Sequence, residues 1–169
     1  MNPIKHIDLI GLFLIVLAGF GWAKPVRFNP DNLKHKHRDE ILIAIAGPLS
    51  NLAIGFLFIL LGRILYFFDF FNSTDTGVKI INMLLSWTVI NWGLFIFNLL
   101  PIPPLDGSHI YTTFLKEINP VMNQRLYQFG TWGLMAIIMI ENRLEIDILP
   151  IGKILTPMIH GILRLLQFS

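Results

Sequence analysis

Cysteine is missing from all 169 residues, which excludes a disulfide framework and thiol catalysis. Charge is scarce as well. Asp, Glu, Lys and Arg supply 14% of the chain and hydrophobic residues 54%, where ordinary soluble domains carry about 25% charged and about 45–50% apolar residues. With a mean hydropathy of +0.63, the composition is that of a membrane protein. The formal net charge is only +2, and the basic side chains gather in one loop, so they speak of topology and not of a nucleic-acid partner. Repeats and low-complexity tracts are absent too, and no boundary divides the chain. Residues 1–169 read as a single membrane-embedded domain.

What is present is a series of long apolar runs. The first, residues 7–22, could pass for the core of a signal peptide, but Asp8 interrupts it and no clean small-residue cleavage site follows, so a retained helix is expected. Residues 23–40, "AKPVRFNPDNLKHKHRDE", form the one strongly hydrophilic stretch, and the positive-inside bias places this loop in the cytoplasm. The second run, residues 41–68, would be roughly 42 Å long as helix at about 1.5 Å per residue, more than the ~30 Å hydrocarbon core. It must tilt, kink or protrude; Gly47-Pro48 offers a kink site, and Arg63 is expected to snorkel toward the far interface. A turn-forming "DFFNSTDTG" leads to the third run, residues 78–100, in which Asn82, Ser86, Asn91 and Asn98 form a polar load expected to face protein or a water-filled cavity. A short amphipathic stretch follows to Glu117, then a run at residues 122–140 and a last one at 148–168, where Lys153, His160 and Arg164 suit an interfacial helix as well as a spanning one. The expected fold is an all-α polytopic membrane helix bundle of about four or five membrane-embedded segments.

Between the third run and the amphipathic stretch stands "NLLPIPPLDGSHI". Pro101, Pro103 and Pro104 cannot donate backbone hydrogen bonds and hold the residues before them extended, so the helix must open there. Broken backbone at membrane depth survives only when buried in protein or lining a cavity. Gly107 allows a close turn beside Asp106. From these residues alone, Asp106 reads either as a cap of the next helix or as a carboxylate that handles a metal or a proton.

Taken together, "GWAKPV" with "NP" shortly after, "AGPLSN" opening a long helix, and "NLLPIPPLDGSHI" closing the next resemble the site-2 protease family of membrane-embedded zinc metalloproteases, in order and in approximate spacing. The match runs from about Asn2 to His109, and its last motif, Asn-x-x-Pro-x-Pro-x-x-Asp-Gly, is highly specific. The resemblance implies one zinc ion (Zn2+), with Asp106 as its third ligand and Asn98 as the amide that positions substrate or stabilises the developing oxyanion. It also implies a role for Asn51 in lining the substrate groove, beside the packing role that Gly47, Ser50 and Asn51 would fill on one helix face. The implied activity is hydrolysis of a peptide bond in or near a transmembrane helix of a protein substrate. That substrate must unwind locally, and the setting is the lipid bilayer of a prokaryotic cell membrane, crossed several times.

One family feature is missing. His-Glu-x-x-His, which supplies two histidine ligands and a glutamate general base one helical turn apart, occurs nowhere in the 169 residues. The expectation is a chain shortened at its start relative to the family and inactive unaided. The alternatives are a non-catalytic membrane protein that binds transmembrane segments, and a small transporter or channel in which Asp106, Asn91 and Asn98 line an ion path. No other histidine restores the motif. His35 and His37 form a His-x-His pair that reads as a solvated face, His6 and His160 read as interfacial or packed, and the motif gives His109 no metal role. Trp22, Trp87, Trp92 and Trp132 read as interface and packing residues.

Overall fold

A computed structural model describes residues 34–144, 148–149 and 151–165. Contacts divide the chain into two units, residues 1–36 and 37–169, and the architecture below is that of the second. Every element described is helical. In chain order they are α1 (Lys36–Tyr66), the short α2 (Asp69–Ser73), α3 (Asp75–Asn98), a single 3-10 turn (Asp106–Ser108), α4 (His109–Ile118), α5 (Pro120–Leu144) and α6 (Ile151–Leu165).

Helix α1 turns a stripe of mostly small residues inward, comprising Glu40, Ala44, Pro48, Gly55, Ile59 and Gly62. Small side chains let a neighbouring backbone approach, which is how helices associate where lipid removes the hydrophobic driving force. Trp92 of α3 fills the notch at Gly55: it is fully buried, and a Cβ at Gly55 would fall within its indole ring. The indole Nε1 donates to the Leu52 carbonyl at 3.2 Å, and the Thr88 hydroxyl lies 3.2 Å from the Gly55 carbonyl and 3.1 Å from the Leu84 carbonyl of its own helix. Edge-on ring contacts of Phe56 with Trp92 and of Phe58 with Trp87 extend this seam. The α1–α3 pairing is thereby fixed in register by buried polar contacts, each donor aimed at a main-chain oxygen.

Thr74 caps α3 by accepting from the Gly77 amide at 3.1 Å. At the end of α1, the Arg63 guanidinium lies 4.3 Å from the Phe67 ring centroid and 6.0 Å from that of Tyr66, a cation seated on aromatic faces as a snorkelling arginine would be. Helix α6 packs on α3, with Leu155 near Gly93, and α4 packs on α5.

Of the expected membrane-embedded segments, α1 and α3 are long and apolar enough to cross a bilayer. The first, residues 7–22, falls outside the described residues. Helix α5 has 25 residues but carries Arg125, Glu141, Arg143 and several amides, and the 15 residues of α6 fall short of the ~20 a crossing helix needs. The polar load of α3 is placed differently from expectation. Asn82 and Ser86 are exposed, and Ser86 and Asn91 donate to carbonyls one turn back, Asn82 and Trp87, at 2.9 and 2.8 Å. Bonding within the helix meets part of the polar demand that was assigned to a neighbour.

Candidate active site

Helix α3 stops where the prolines require. Asn98 is its last residue, Leu99 closes it by donating to the Phe95 carbonyl, and the chain then runs through Pro101 to Pro104 with a cis bond between Pro103 and Pro104. Two short turns re-form the backbone: the Leu105 amide donates to the Ile102 carbonyl at 2.9 Å, and the Ser108 amide to that of Leu105 at 3.0 Å. The Ser108 hydroxyl, fully buried, donates to the same Leu105 carbonyl at 2.7 Å. Glycines let this segment press against its neighbours. A Cβ on Gly107 would strike the Leu99 carbonyl, and one on Gly130 of α5 would strike that of Pro103. The Tyr111 hydroxyl donates to the Pro101 carbonyl at 3.2 Å and ties α4 back to the loop.

The Asp106 carboxylate emerges from this clamped turn and faces α1. Its Oδ2 would lie 3.2 Å from a Cβ built on Gly47, so the glycine of "AGPLSN" leaves the room that the carboxylate occupies. The capping reading of Asp106 does not describe what the side chain does. Leu105 precedes the 3-10 turn, Ser108 precedes α4, neither helix start has a side-chain cap, and the Asp106 carboxylate accepts no hydrogen bond among the described residues. Burial pushes its pKa above the ordinary carboxylate range, and the nearby His109 offsets part of that rise.

Asn98 and Asn51 sit on the two helices that flank this carboxylate. Asn98 ends α3 and Asn51 lies one turn beyond Gly47 on α1; both are half-buried, and neither spends its amide on a hydrogen bond among the described residues. No hydrogen bond joins them to Asp106.

A second polar group lies behind the turn, and most of it was not singled out from the sequence. Glu40 is buried at the head of the inward stripe of α1 and is hydrogen-bonded through Oε2 to the Lys116 ammonium. Its Oε1 lies 3.7 Å from His109 Nδ1, and His109 Nε2 lies 3.4 Å from the Tyr127 hydroxyl, itself 3.3 Å from that of Thr112. The signal available in the sequence was positional: Glu40 shares a helix face with Ala44 and Pro48, where a solvated acid does not belong. His37, read as part of a solvated face, is half-buried; it pairs with Glu117 at 3.3 Å and stacks on Phe114 with ring centroids 5.0 Å apart. Among the described residues no three His, Cys, Asp or Glu side chains converge as a metal site would require.

A family model described as peptidase family M50 matches residues 11–140. Three similar proteins each carry the name "Putative zinc metalloprotease". YwhC of Bacillus subtilis is 34% identical over 164 residues, covering 95% of this chain and 70% of that protein. MJ0611 of Methanocaldococcus jannaschii is 36% identical over 131 residues, covering 70% and 60% respectively. Rip2 of Mycolicibacterium smegmatis is 26% identical over 146 residues, covering 83% and 52%. The chain thus spans between about half and 70% of the length of these relatives. No solved structure matches. The matched region contains both the α1 segment with Gly47 and the loop with Asp106, and the chain belongs to peptidase family M50, the site-2 proteases.

Proposed function

We propose that this chain is the part of a site-2-type zinc metalloprotease that supplies Asp106 as an oxygen ligand, in an enzyme that cleaves a peptide bond in or near a transmembrane helix of its substrate. The observation that carries the reading is the Asp106 carboxylate, held on a turn that glycine and proline make rigid and directed at the gap left by Gly47. A carboxylate without hydrogen bonds of its own, half-buried beside apolar helices, has an unmet demand for a cation. Of the ligands a catalytic zinc takes, three from the protein with one position left open, the described residues offer this one. A three-ligand centre is therefore not assembled by them alone; a His-Glu-x-x-His helix outside these 169 residues would complete it, and without that helix the chain is inactive.

When bound, zinc supplies Lewis-acid activation of water at neutral pH. The chain's own residues hold and orient. Asp106 contributes negative charge at a fixed point. Asn98 presents an unspent amide that would donate to the carbonyl oxygen of the bond being cut as negative charge grows there, the kind of contact that is worth most where water is excluded. Asn51, on the adjacent turn of α1, would hydrogen-bond the main chain of an unwound substrate along the groove.

The reading extends to topology. α1 and α3 are two spans of a multi-pass bundle of four or five embedded segments, with residues 23–40 on the cytoplasmic side, where the positive-inside bias puts them. Two crossings then return the end of α3, and with it Asp106, to that same side.

Zinc stoichiometry by elemental analysis tests the proposal. Residues 1–169 alone are expected to be free of zinc, and a version extended upstream through the adjacent in-frame coding sequence is expected to hold one equivalent that Asp106→Ala removes. Zinc retained after Asp106→Ala, or absent from both forms, would overturn the ligand assignment.

A further inference from the structure

The geometry points to Glu40 as a positioning residue for Asp106, acting through α4. The inference rests on the reading of Asp106 as the ligand that this chain contributes. Glu40 is 8% exposed, and a carboxylate so buried is costly unless charge and hydrogen bonds meet it. Both of its partners, Lys116 and His109, are on α4, the helix that begins as soon as the Asp106 turn ends. They lie seven residues apart, two turns along one face of α4, and converge on a single carboxylate. That arrangement fixes how far α4 can slide or rotate against α1.

The other half of the register is on α1. Glu40 and Gly47 are also seven residues apart, on one helix face and about 10 Å along the axis. One face of α1 therefore presents Glu40 and Gly47, and the segment opposite presents Lys116 and His109 to the first and Asp106 to the second. Asp106 has no hydrogen bond to hold its carboxylate, so its place is inherited from the turn and from α4. Tyr127 of α5 supports the far nitrogen of His109, which adds a third helix to the brace.

The absence of cysteine makes the register directly readable. In the full chain in membranes, Gly47→Cys with Asp106→Cys introduces two thiols and no others, at positions whose side chains meet, since Asp106 Oδ2 lies 3.2 Å from a Cβ built on Gly47. The pair is expected to oxidise rapidly. Adding Glu40→Gln is expected to slow crosslinking at least about fivefold, because bridging tolerates little displacement, while Glu40→Asp restores part of the rate. Lys116→Gln, at a less buried site, should slow it in the same direction. Thr88→Val, which removes a buried contact between α1 and α3, is the control: it should lower the thermal midpoint and leave the rate within about twofold, since the α4 brace remains. The proposal is overturned if the parent pair does not crosslink, or if Glu40→Gln and Lys116→Gln slow it no more than Thr88→Val does. The readout requires no metal. A chain that crosslinks as described yet takes up no zinc in its extended form would refute the zinc reading and leave the brace standing.

Discussion

Gly47→Ala separates the site from the fold. The added Cβ would stand 3.2 Å from Asp106 Oδ2, a few tenths of an ångström inside ordinary van der Waals contact, so carboxylate or helix must give by about that much. The loop behind Asp106 cannot yield readily, because Gly107 already rests against the Leu99 carbonyl and Pro103 against Gly130. The carboxylate is expected to rotate instead. Metal ligands tolerate errors of about 0.2 Å, and we expect zinc affinity in the extended, metal-binding form to drop by about tenfold, the equivalent of about 1.4 kcal/mol. Stability should hardly move. Alanine gains up to about 1 kcal/mol over glycine inside a helix, but Gly47 precedes Pro48, whose ring crowds a Cβ in helical geometry and removes much of that gain. The assay is zinc retention against a graded chelator, with a thermal midpoint on the same sample. Unchanged affinity would refute the argument, and so would a midpoint lowered by more than about 4 °C, the scale of a 1 kcal/mol loss in a chain this size.

Other perturbations address the remaining links. Asn98→Ala in the extended protein should lower kcat by about 10²–10³-fold with KM little changed, as loss of one oxyanion donor does; an effect below tenfold, or one confined to KM, would remove Asn98 from the chemistry. Trp92→Phe gives up the bond to the Leu52 carbonyl and opens space at Gly55, which should cost about 2–3 kcal/mol; an unchanged thermal midpoint in detergent would mean that this seam does not hold α1 to α3. For the metal-free chain, the raised pKa of Asp106 means that folding is favoured with the group protonated. Stability should then fall as pH rises from the ordinary carboxylate value through the raised one, and Asp106→Asn should flatten that slope and leave the neutral-pH chain more stable. Superimposable profiles of midpoint against pH for the two proteins would refute the assignment.

How much of this could be read from residues depends on how local the physics is. The stop of the third run before the prolines and the open loop after it follow from prolines that remove donors where they stand, and both were legible to within two residues, the helix ending at Asn98 and not at Leu100. The need for glycine at 107 was legible too, though not that its contact is the Leu99 carbonyl. "AGPLSN" was legible as a packing motif, but its approach to Asp106 is a tertiary fact that helix periodicity does not encode. The pairing of Glu40 with Lys116, 76 residues apart, is of the same kind. His37 is more covered than the charge around it suggested, because Phe114, which stacks on it, arrives from a distant helix. His-Glu-x-x-His does not occur in these 169 residues, and among the described residues no three His, Cys, Asp or Glu side chains converge in its place.

The arginine that closes α1 turns that helix into a ruler. Sixteen residues separate Gly47 from Arg63, about 24 Å of helix. With Arg63 at one interface of a hydrocarbon slab about 30 Å thick and α1 upright, Gly47 falls within about two turns of the opposite face. Asp106, which lies against Gly47, would share that depth. On the proposed reading, a peptide bond presented there would belong to the terminal turns of a substrate helix, where several carbonyls already lack intrahelical partners and unwinding breaks few bonds.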